Sequence, residues 1–473
     1  MACEQNIIVG IDFGTTASGI GLLVSPPHGR VSNVSKEIEI FQSWDTSGAY
    51  HNPVKFPSIL AYSEENPSLP IPPWEISIEA QHDDIVSWFK LLLNEELNIE
   101  NWVAEIQGWA DSRGIFHIPK GMTALQVIVD FLGCLRDALW DRLKVAANAG
   151  GNLDTTPIQF WFTVPVCWSD PVRGLMREAI SHAGFGTRGG DQVHLLTEAQ
   201  AAMTFALAKV SSFKSGDGVI ICDCGGGTVD LASYLISHDN PLIFDELAHS
   251  NGELYGSTLI DRGFYRLMCE RFGDAFQSLP RRDVNPFSPF MSTFERIKCK
   301  FDQSSGAIHH LPLIMSPLKS LDSRCADLDM LFYPALVGIV NALQRQIEEA
   351  NNSAREIVIN KIVLVGGFSL SPYLYRNLQQ LFGNSYVIHR PDEGVMAPAL
   401  GAVLWGSGAY RPRTRVVRCH YGFQGPIFTD NLLRNGAVLD AAMSSLTSQA
   451  NRPCWVIKKV MSPRARRLDE AST

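Results

Sequence analysis

The sequence predicts an α/β protein built of two similar lobes, and three observations predict it. Residues 6–24, NIIVGIDFGTTASGIGLLV, read as an apolar strand, a Gly/Thr turn and a second apolar stretch. Residues 218–236, GVIICDCGGGTVDLASYLI, read the same way. Overlaid, Asp12-Phe13-Gly14-Thr15-Thr16 falls on Asp223-Cys224-Gly225-Gly226-Gly227, an Asp at a strand end followed by a tight turn of small residues. The copies lie 211 residues apart, a spacing that suits two lobes and not a short-period solenoid. Stretches of helical periodicity fill the space between them.

Each further element has its own signal. Residues 122–145 place Leu125, Ile128, Leu132, Leu135, Leu139 and Leu143 three or four apart, the stripe of an amphipathic helix. IQFWFTVPV at 158–166 reads as a buried strand. Asp170 and Pro171 then read as N-cap and first helical residue, with Gly184 ending that helix. Thr197 caps EAQAAMTFALAKV, and the turn-rich 211–217 crosses between lobes. KIVLVG at 361–366 is a strand entering Gly366-Gly367. Ser371 and Pro372 start the next helix and Gly383 stops it. A last helix is expected over 395–406, with Pro398 in its first turn. The Pro/Ser-rich stretches 63–73 and 278–290 read as loops, and the tail from 408 as partly disordered.

Composition narrows the function classes. With 45% hydrophobic and 19% charged residues over 473 positions, a sizeable core is expected. The net charge of −9 argues against a nucleic-acid partner, although the stretch from Gly408 onward carries +7 against −16 for the rest. No apolar run reaches the roughly 18 residues of a membrane span, and residues 1–14 do not read as a signal peptide. Ten cysteines without a CxxC pair fit cytoplasmic thiols. Cys222 and Cys224 are expected on opposite faces of their strand, against a joint metal site, and His309-His310 lack partners at ligand spacing. Trp74, Trp88, Trp102 and Trp109 are expected to pack the outer part of the first lobe.

The two turns carry the chemistry. Gly-rich turns after buried strands present backbone N–H groups that bind phosphate oxygens. An Asp at each turn places negative charge where phosphates repel it, which makes sense with a divalent cation between them. Mg²⁺ takes one or two carboxylates, several waters and phosphate oxygens. Asp12 and Asp223 are therefore the candidate metal pair, and Asp230, seven residues on, is a candidate for the same shell. A lone DxGTT or GGGT is a common turn, but two copies at strand ends, followed by VLVGG before a capped helix, are specific. GxxxxGK[ST], HExxH and GxSxG are absent.

Five motifs in order resemble the nucleotide-binding domain of the seventy-kilodalton heat-shock chaperones, within the actin-like ATPase superfamily. They are GIDFGTTASGI, TVPVCWSDPVRGLMREAISHAGF, LLTEAQAAMTFAL, CDCGGGTVDLASY, and VLVGGFSLSPYL with PDEGVMAPALGAVLWG. Together they span about residues 6–408, and they look most like the divergent branch typified by the family's member twelve. The resemblance implies an actin-like (ribonuclease H-like) fold, with two lobes of mixed sheet flanked by helices and ATP or ADP in the cleft with Mg²⁺. Lobe I would cover 1–212, with a closing helix at 392–407 packing back onto it, and lobe II 213–391. By motif, Gly14, Thr15 and Thr16 contact phosphates, with a Thr hydroxyl orienting the γ-phosphate. Asp12 and Asp223 hold hydrated Mg²⁺, and Glu198 and Asp230 position or activate the attacking water. Gly225, Gly226, Gly227 and Thr228 form the second phosphate loop, Gly366 and Gly367 approach the nucleoside, and Asp392 starts the closing helix. Pro165 and Arg173 match the relay toward a substrate domain. The family's catalytic lysine has its candidate in Lys90 of SWFKLLL, whose alternative is a solvated lysine at a helix edge.

The sequence departs from that family in two places. Glu295 and Lys298 of ERIKC match the ribose-binding pair, but the two arginines that pack on adenine are Cys299 and Leu370 here, with Lys300 a candidate substitute. Loss of both cation–π faces weakens adenine binding by about 1–3 kcal/mol. Only 66 residues follow position 407, fewer than the roughly 100 of a β-sandwich; a complete peptide clamp is not expected, and the basic 458–467 cluster is a candidate partner contact or a solvated tail. Slow Mg-dependent ATP hydrolysis gating a conformational cycle is the leading expectation. A nucleotide-sensing scaffold without turnover and a small-molecule kinase of the same superfamily are the alternatives.

Overall fold

The computed structural model describes residues 6–25, 34–41, 54–62, 69–76, 85–93, 118–147, 153, 155–239, 242–302, 309–311, 321–323, 325–353, 358–410, 412–414, 416, 421–425 and 452–457. The first half builds one mixed sheet. Its strands are β1 (Asn6–Asp12), β2 (Ala17–Ser25), β3 (Glu39–Ile40), β4 (Phe56–Pro57), β8 (Ile158–Val164) and β9 (Gln192–Thr197), with β5 (Ile59–Tyr62), β6 (Pro70–Ile71) and β7 (Ile85–Ser87) forming a small sheet beside it. The order is β3-β2-β1-β8-β9, with β4 on β2. β1 and β2 form an antiparallel hairpin that sets Asp12 opposite Gly19, and β1 runs parallel to β8. A parallel neighbour needs a long crossover, and part of it is the helix Ala124–Ala147. That helix turns its buried Ile128, Leu132, Leu135, Leu139 and Leu143 into the lobe I core beside Phe13 and Phe162. Each such side chain contributes about 1.5–3 kcal/mol by leaving water.

The second half repeats the plan. β10 (Gly218–Cys224), β11 (Val229–Asp239), β12 (Leu242–Glu246), β13 (Asn251–Glu253), β16 (Ile359–Val365) and β17 (Val387–His389) form a sheet of order β12-β11-β10-β16-β17, with β13 on β11; β14 (His309–Leu311) and β15 (Leu321–Ser323) pair separately. β10–β11 is again an antiparallel hairpin, with Asp223 opposite Asp230, and β10–β16 is again a parallel pair. The helices Glu198–Lys209 and Ala397–Gly406 pack on each other; Ala201 and Ala402 lie in one buried cluster with Ile8 of β1, and Ala199 and Ala397 in another with Val219 and Ile221 of β10. They therefore run between the lobes at the base of the cleft.

Several local expectations need correction. Ser169, not Asp170, is the N-cap of the helix Asp170–His182, so its Pro171 lies one position deeper. Residues 278–290 hold the short helix Arg281–Val284 and the start of the helix Pro289–Lys300. Cys222 and Cys224 lie on the same face, their sulfurs 3.5 Å apart, because residues two apart on a strand share a side. Trp88 leaves its own lobe and joins the lobe II core, whereas Trp74 packs beside Phe56 in lobe I. Trp102, Trp109 and the 458–467 cluster lie outside the described residues. Of the tail, Arg413, Thr414 and Val416 dock on β12. Arg413 N–H donates to the Phe244 carbonyl, and the Arg413 guanidinium grips both Asp245 oxygens at 3.2 and 2.6 Å. β18 (Tyr421–Gly425) and β19 (Arg452–Ile457) pair antiparallel, which the weak periodicity there did not suggest.

Candidate active site

A cavity of about 660 Å³ lies where the hairpin turns of the two lobes meet. Asp12, Gly14, Thr15, Thr16, Lys90, Glu198, Asp223, Gly225, Gly226, Gly227, Thr228, Glu295, Lys298, Gly366, Gly367 and Asp392 all line it. The turns approach closely: a Cβ on Gly226 would sit 2.5 Å from the Thr16 hydroxyl, and one on Gly227 would overlap the Thr15 hydroxyl. Glycine is thus required for the two turns to form one cradle. The second turn is braced from behind, with Ser257 and Thr258 N–H donating to the Gly225 and Gly226 carbonyls at 3.1 and 2.9 Å.

On the lobe I side every carboxylate is paired. Asp12 accepts from Lys55 Nζ at 2.7 Å and from the Thr163 hydroxyl at 3.0 Å. Burial pulls its carboxyl upward, but Lys55 and Lys90 outweigh burial and hold it below the ordinary aspartate value. Lys90 is buried on the 3₁₀ turn Phe89–Leu93 and donates to Glu198 Oε1 at 2.7 Å. Its Nζ also lies 5.7 and 5.5 Å from the Phe13 and Trp168 ring centres. It is therefore no solvated helix-edge lysine. Glu198 opens the helix that Thr197 caps through the Gln200 amide. Burial pushes its carboxyl up to about 7 against the pull of Lys90, with Asp230 and Asp12 adding to the rise.

On the lobe II side the turn's own acid, Asp223, has no lysine within ion-pair distance among the described residues. Asp223 is 4% exposed, and among the described residues its carboxylate receives no hydrogen bond or ion pair. Burial, then the charges of Glu198, Asp12 and Asp230, raise it well above the ordinary value. Gly366, at φ +81°, is held there by space as well as conformation, since a Cβ would overlap Asp223 Oδ1. Asp230 is the one predicted site residue absent from the cavity wall. It lies behind it, 1% exposed, with Oδ1 accepting from the Val166 amide at 2.5 Å. Val166 belongs to the segment expected to act as a relay: Trp168 N–H donates to the Pro165 carbonyl at 3.3 Å, and Arg173 Nε to the Trp168 carbonyl at 3.1 Å.

At the other end, Cys299 and Leu370 both line the cavity, so no arginine stands at either adenine-packing position. Lys300 is not on the wall. Lys298 is committed to Asp261, both of whose oxygens it reaches at 2.8 Å, and to Glu295 at 2.5 Å. Two residues of this site carry no sequence signal. Asp261 sits on the helix Thr258–Phe272 without a motif, and Lys55 is a lone lysine two positions before Pro57. Only the strand pairing reveals that Lys55 points at Asp12.

The donor set tests the expected cation. Four buried carboxylates (Asp12, Glu198, Asp223 and Asp230) face two ammonium groups (Lys55 and Lys90), and nucleotide phosphates add further negative charge. A buried carboxylate without a partner is costly unless it is protonated or meets a cation. Asp223 and the adjoining amides therefore fit Mg²⁺ with phosphate.

Two hairpins of like topology around one cleft define the class: the chain has the actin-like ATPase fold. The family model described as Hsp70 protein matches residues 142–414, more than half of the chain, and the chain belongs to that family. It is 22% identical to human heat shock 70 kDa protein 12B over 88% of this chain and 71% of that protein. It is 21% identical to mouse heat shock 70 kDa protein 12A over 85% of this chain and 69% of that one. To chaperone protein dnaK3 of Synechococcus elongatus it is 26% identical, over 55% of this chain and 34% of that protein. Among the described residues no helix is long and apolar enough to cross a membrane, and no group of His, Cys, Asp and Glu is arranged as a metal cluster.

Proposed function

We propose that this chain binds ATP and ADP with Mg²⁺ in the interlobe cavity and hydrolyses ATP slowly, turnover being coupled to lobe closure in a chaperone-like or regulatory cycle. The observation that carries the reading is the meeting of two small-residue turns over an unpaired, buried Asp223. The amides of 226–228 and the hydroxyls of Thr15, Thr16 and Thr228 accommodate phosphate oxygens. Asp223, with Asp12 beside it still paired to Lys55, would hold the ion, which when bound would neutralise and orient the phosphates. Glu198 accepts the proton of the attacking water, and Lys90 fixes its carboxylate in place. Asp230 supports this from behind through Val166. Such a site acts by positioning and charge neutralisation.

A second reading is nucleotide sensing without turnover. Asp230, tied to an amide and off the wall, favours it, as do Cys299 and Leu370 at the adenine end. A single-turnover experiment with γ-labelled ATP, Mg²⁺ and excess protein separates the two. Binding followed by slow phosphate release supports the ATPase. Binding without release selects the sensor, and no binding removes both.

A further inference from the structure

We propose that Lys55 is a built-in cation of the phosphate site, an ammonium that shares with the divalent ion the neutralisation of nucleotide phosphates, so that nucleotide binding persists when divalent ions are removed. This rests on the nucleotide reading above and adds a residue and a metal dependence to it.

The geometry begins with three adjacent strands. β4 pairs with β2 in the register Ala17↔Pro57 and Ser18↔Phe56, and one further step sets Lys55 beside Gly19. Gly19 in turn lies opposite Asp12 on β1. Lys55, Gly19 and Asp12 thus stand in a row, with no side chain on the middle strand. The lysine stem uses that open lane: its Cε lies 3.3 Å from where a Gly19 Cβ would be, and Met396 Sδ closes the space at 2.9 Å from the same point. The stem is confined, and the ammonium is delivered to the cavity floor at Asp12.

What the ammonium does there follows from its donors. A lysine has three N–H groups. One goes to Asp12 at 2.7 Å, and among the described residues no other hydrogen bond or ion pair reaches Lys55 Nζ, although its side chain is only 10% exposed. Two donors of a nine-tenths buried cation therefore remain unmatched. Lys55 lines the main cavity and also a smaller one of about 210 Å³ that shares Thr16, Ala17 and Ser257 with it. A ligand seated between the two turns would bring oxygens to those donors without displacing Asp12. Lys90 does not compete for this role, because its Nζ is held by Glu198 between the Phe13 and Trp168 rings. A compact, flexible ammonium that keeps one carboxylate while donating to phosphate is well suited to the task.

The test is calorimetric titration of ADP and ATP into the full chain, once with Mg²⁺ and once with EDTA, for the parent, Lys55→Met and Lys55→Arg. The parent is expected to lose less than about tenfold in affinity on removal of Mg²⁺, a charged hydrogen bond being worth roughly ten- to a hundredfold. Lys55→Met is expected to bind in Mg²⁺ but to lose roughly a further ten- to a hundredfold in EDTA, and Lys55→Arg to recover most of that loss. An equal Mg²⁺-to-EDTA ratio in parent and Lys55→Met overturns the role of Lys55. So does a parent that binds only with Mg²⁺, a result that needs no folded variant. A parent that binds in neither condition overturns the nucleotide reading itself.

Discussion

The two hairpins that floor the cleft have the same strand directions, the same parallel neighbour and an Asp at the same place, yet their acids live differently. In lobe I, Asp12 and Glu198 each hold a buried lysine at 2.7 Å. In lobe II, Asp223 meets no hydrogen-bond or ion-pair partner among the described residues, and Asp230 accepts from the Val166 backbone amide. Backbone symmetry therefore does not carry charge symmetry with it. One half of the cleft is neutralised by its own side chains, and the other waits on something from outside. The sharing is uneven because both lysines come from the residues inserted between β2 and β8, an insertion next to the lobe I hairpin.

The largest expected effect tests the paired half. Glu198→Gln should slow single-turnover phosphate release by about 10²–10⁴-fold, the range for a general base, while ATP affinity stays within about threefold of the parent. Equal rates would remove the paired acid from the chemistry. Stability should separate the two hairpins next. Asp12→Ala strands a buried lysine and is expected to cost about 3 kcal/mol in urea unfolding. Asp223→Ala relieves repulsion and should stay within about 1 kcal/mol of the parent or exceed it. Equal losses would break the contrast. The same Asp223→Ala should abolish the Mg-dependent part of nucleotide affinity, less than about tenfold, so that titration calorimetry gives the same affinity in Mg²⁺ and in EDTA.

A pH profile sharpens the comparison further. With Glu198 raised to about 7, its base form grows in as pH climbs through neutrality. Single-turnover hydrolysis should therefore rise from about pH 6 to about pH 8 in the parent and be flat in Glu198→Gln. The sign for stability is the reverse. A carboxyl raised by folding favours the fold while protonated, so that contribution is lost as pH rises from the ordinary 4.5 to about 7. The smallest effect lies on the outer edge of lobe II. Arg413 is over half exposed, so Arg413→Ala should shift the urea midpoint least of these variants. Burial alone would raise Asp245, but Arg413, Thr414 and Ser237 bring it down to about 2. The contribution is therefore present above the ordinary aspartate value of 3.8, and the difference from the parent should vanish as pH falls through about 2.

Much of this was legible in the sequence, for a physical reason. The strand–turn–strand units, the caps at Thr197 and Ser371 and the stripe from Leu125 to Leu143 are local patterns whose meaning does not depend on distant partners. Ser371 accepts from the Leu374 amide and Thr197 from the Gln200 amide as their positions suggest. What failed to show were contacts made by register. Lys55 reaches Asp12 only because three strands align, and Asp261 reaches Lys298 only because two helices of lobe II cross. Trp88 was assigned to its own lobe by proximity in sequence, but a single backbone reversal sends it across the cleft. Asp230 has the spacing of a site residue and the surroundings of a structural one. Spacing cannot tell which way a strand's far end is pulled.

The reversal at Trp88 has a mechanical side. Its φ of 57° is the left-handed conformation that bulky residues avoid, and the next turn carries Lys90 to Glu198. The indole is anchored in the opposite lobe together with Leu91. Holding such a residue there costs about 1–3 kcal/mol, and packing across the cleft is what holds it. Parting the lobes would therefore withdraw the indole from its socket and free the backbone that leads to Lys90 in a single movement.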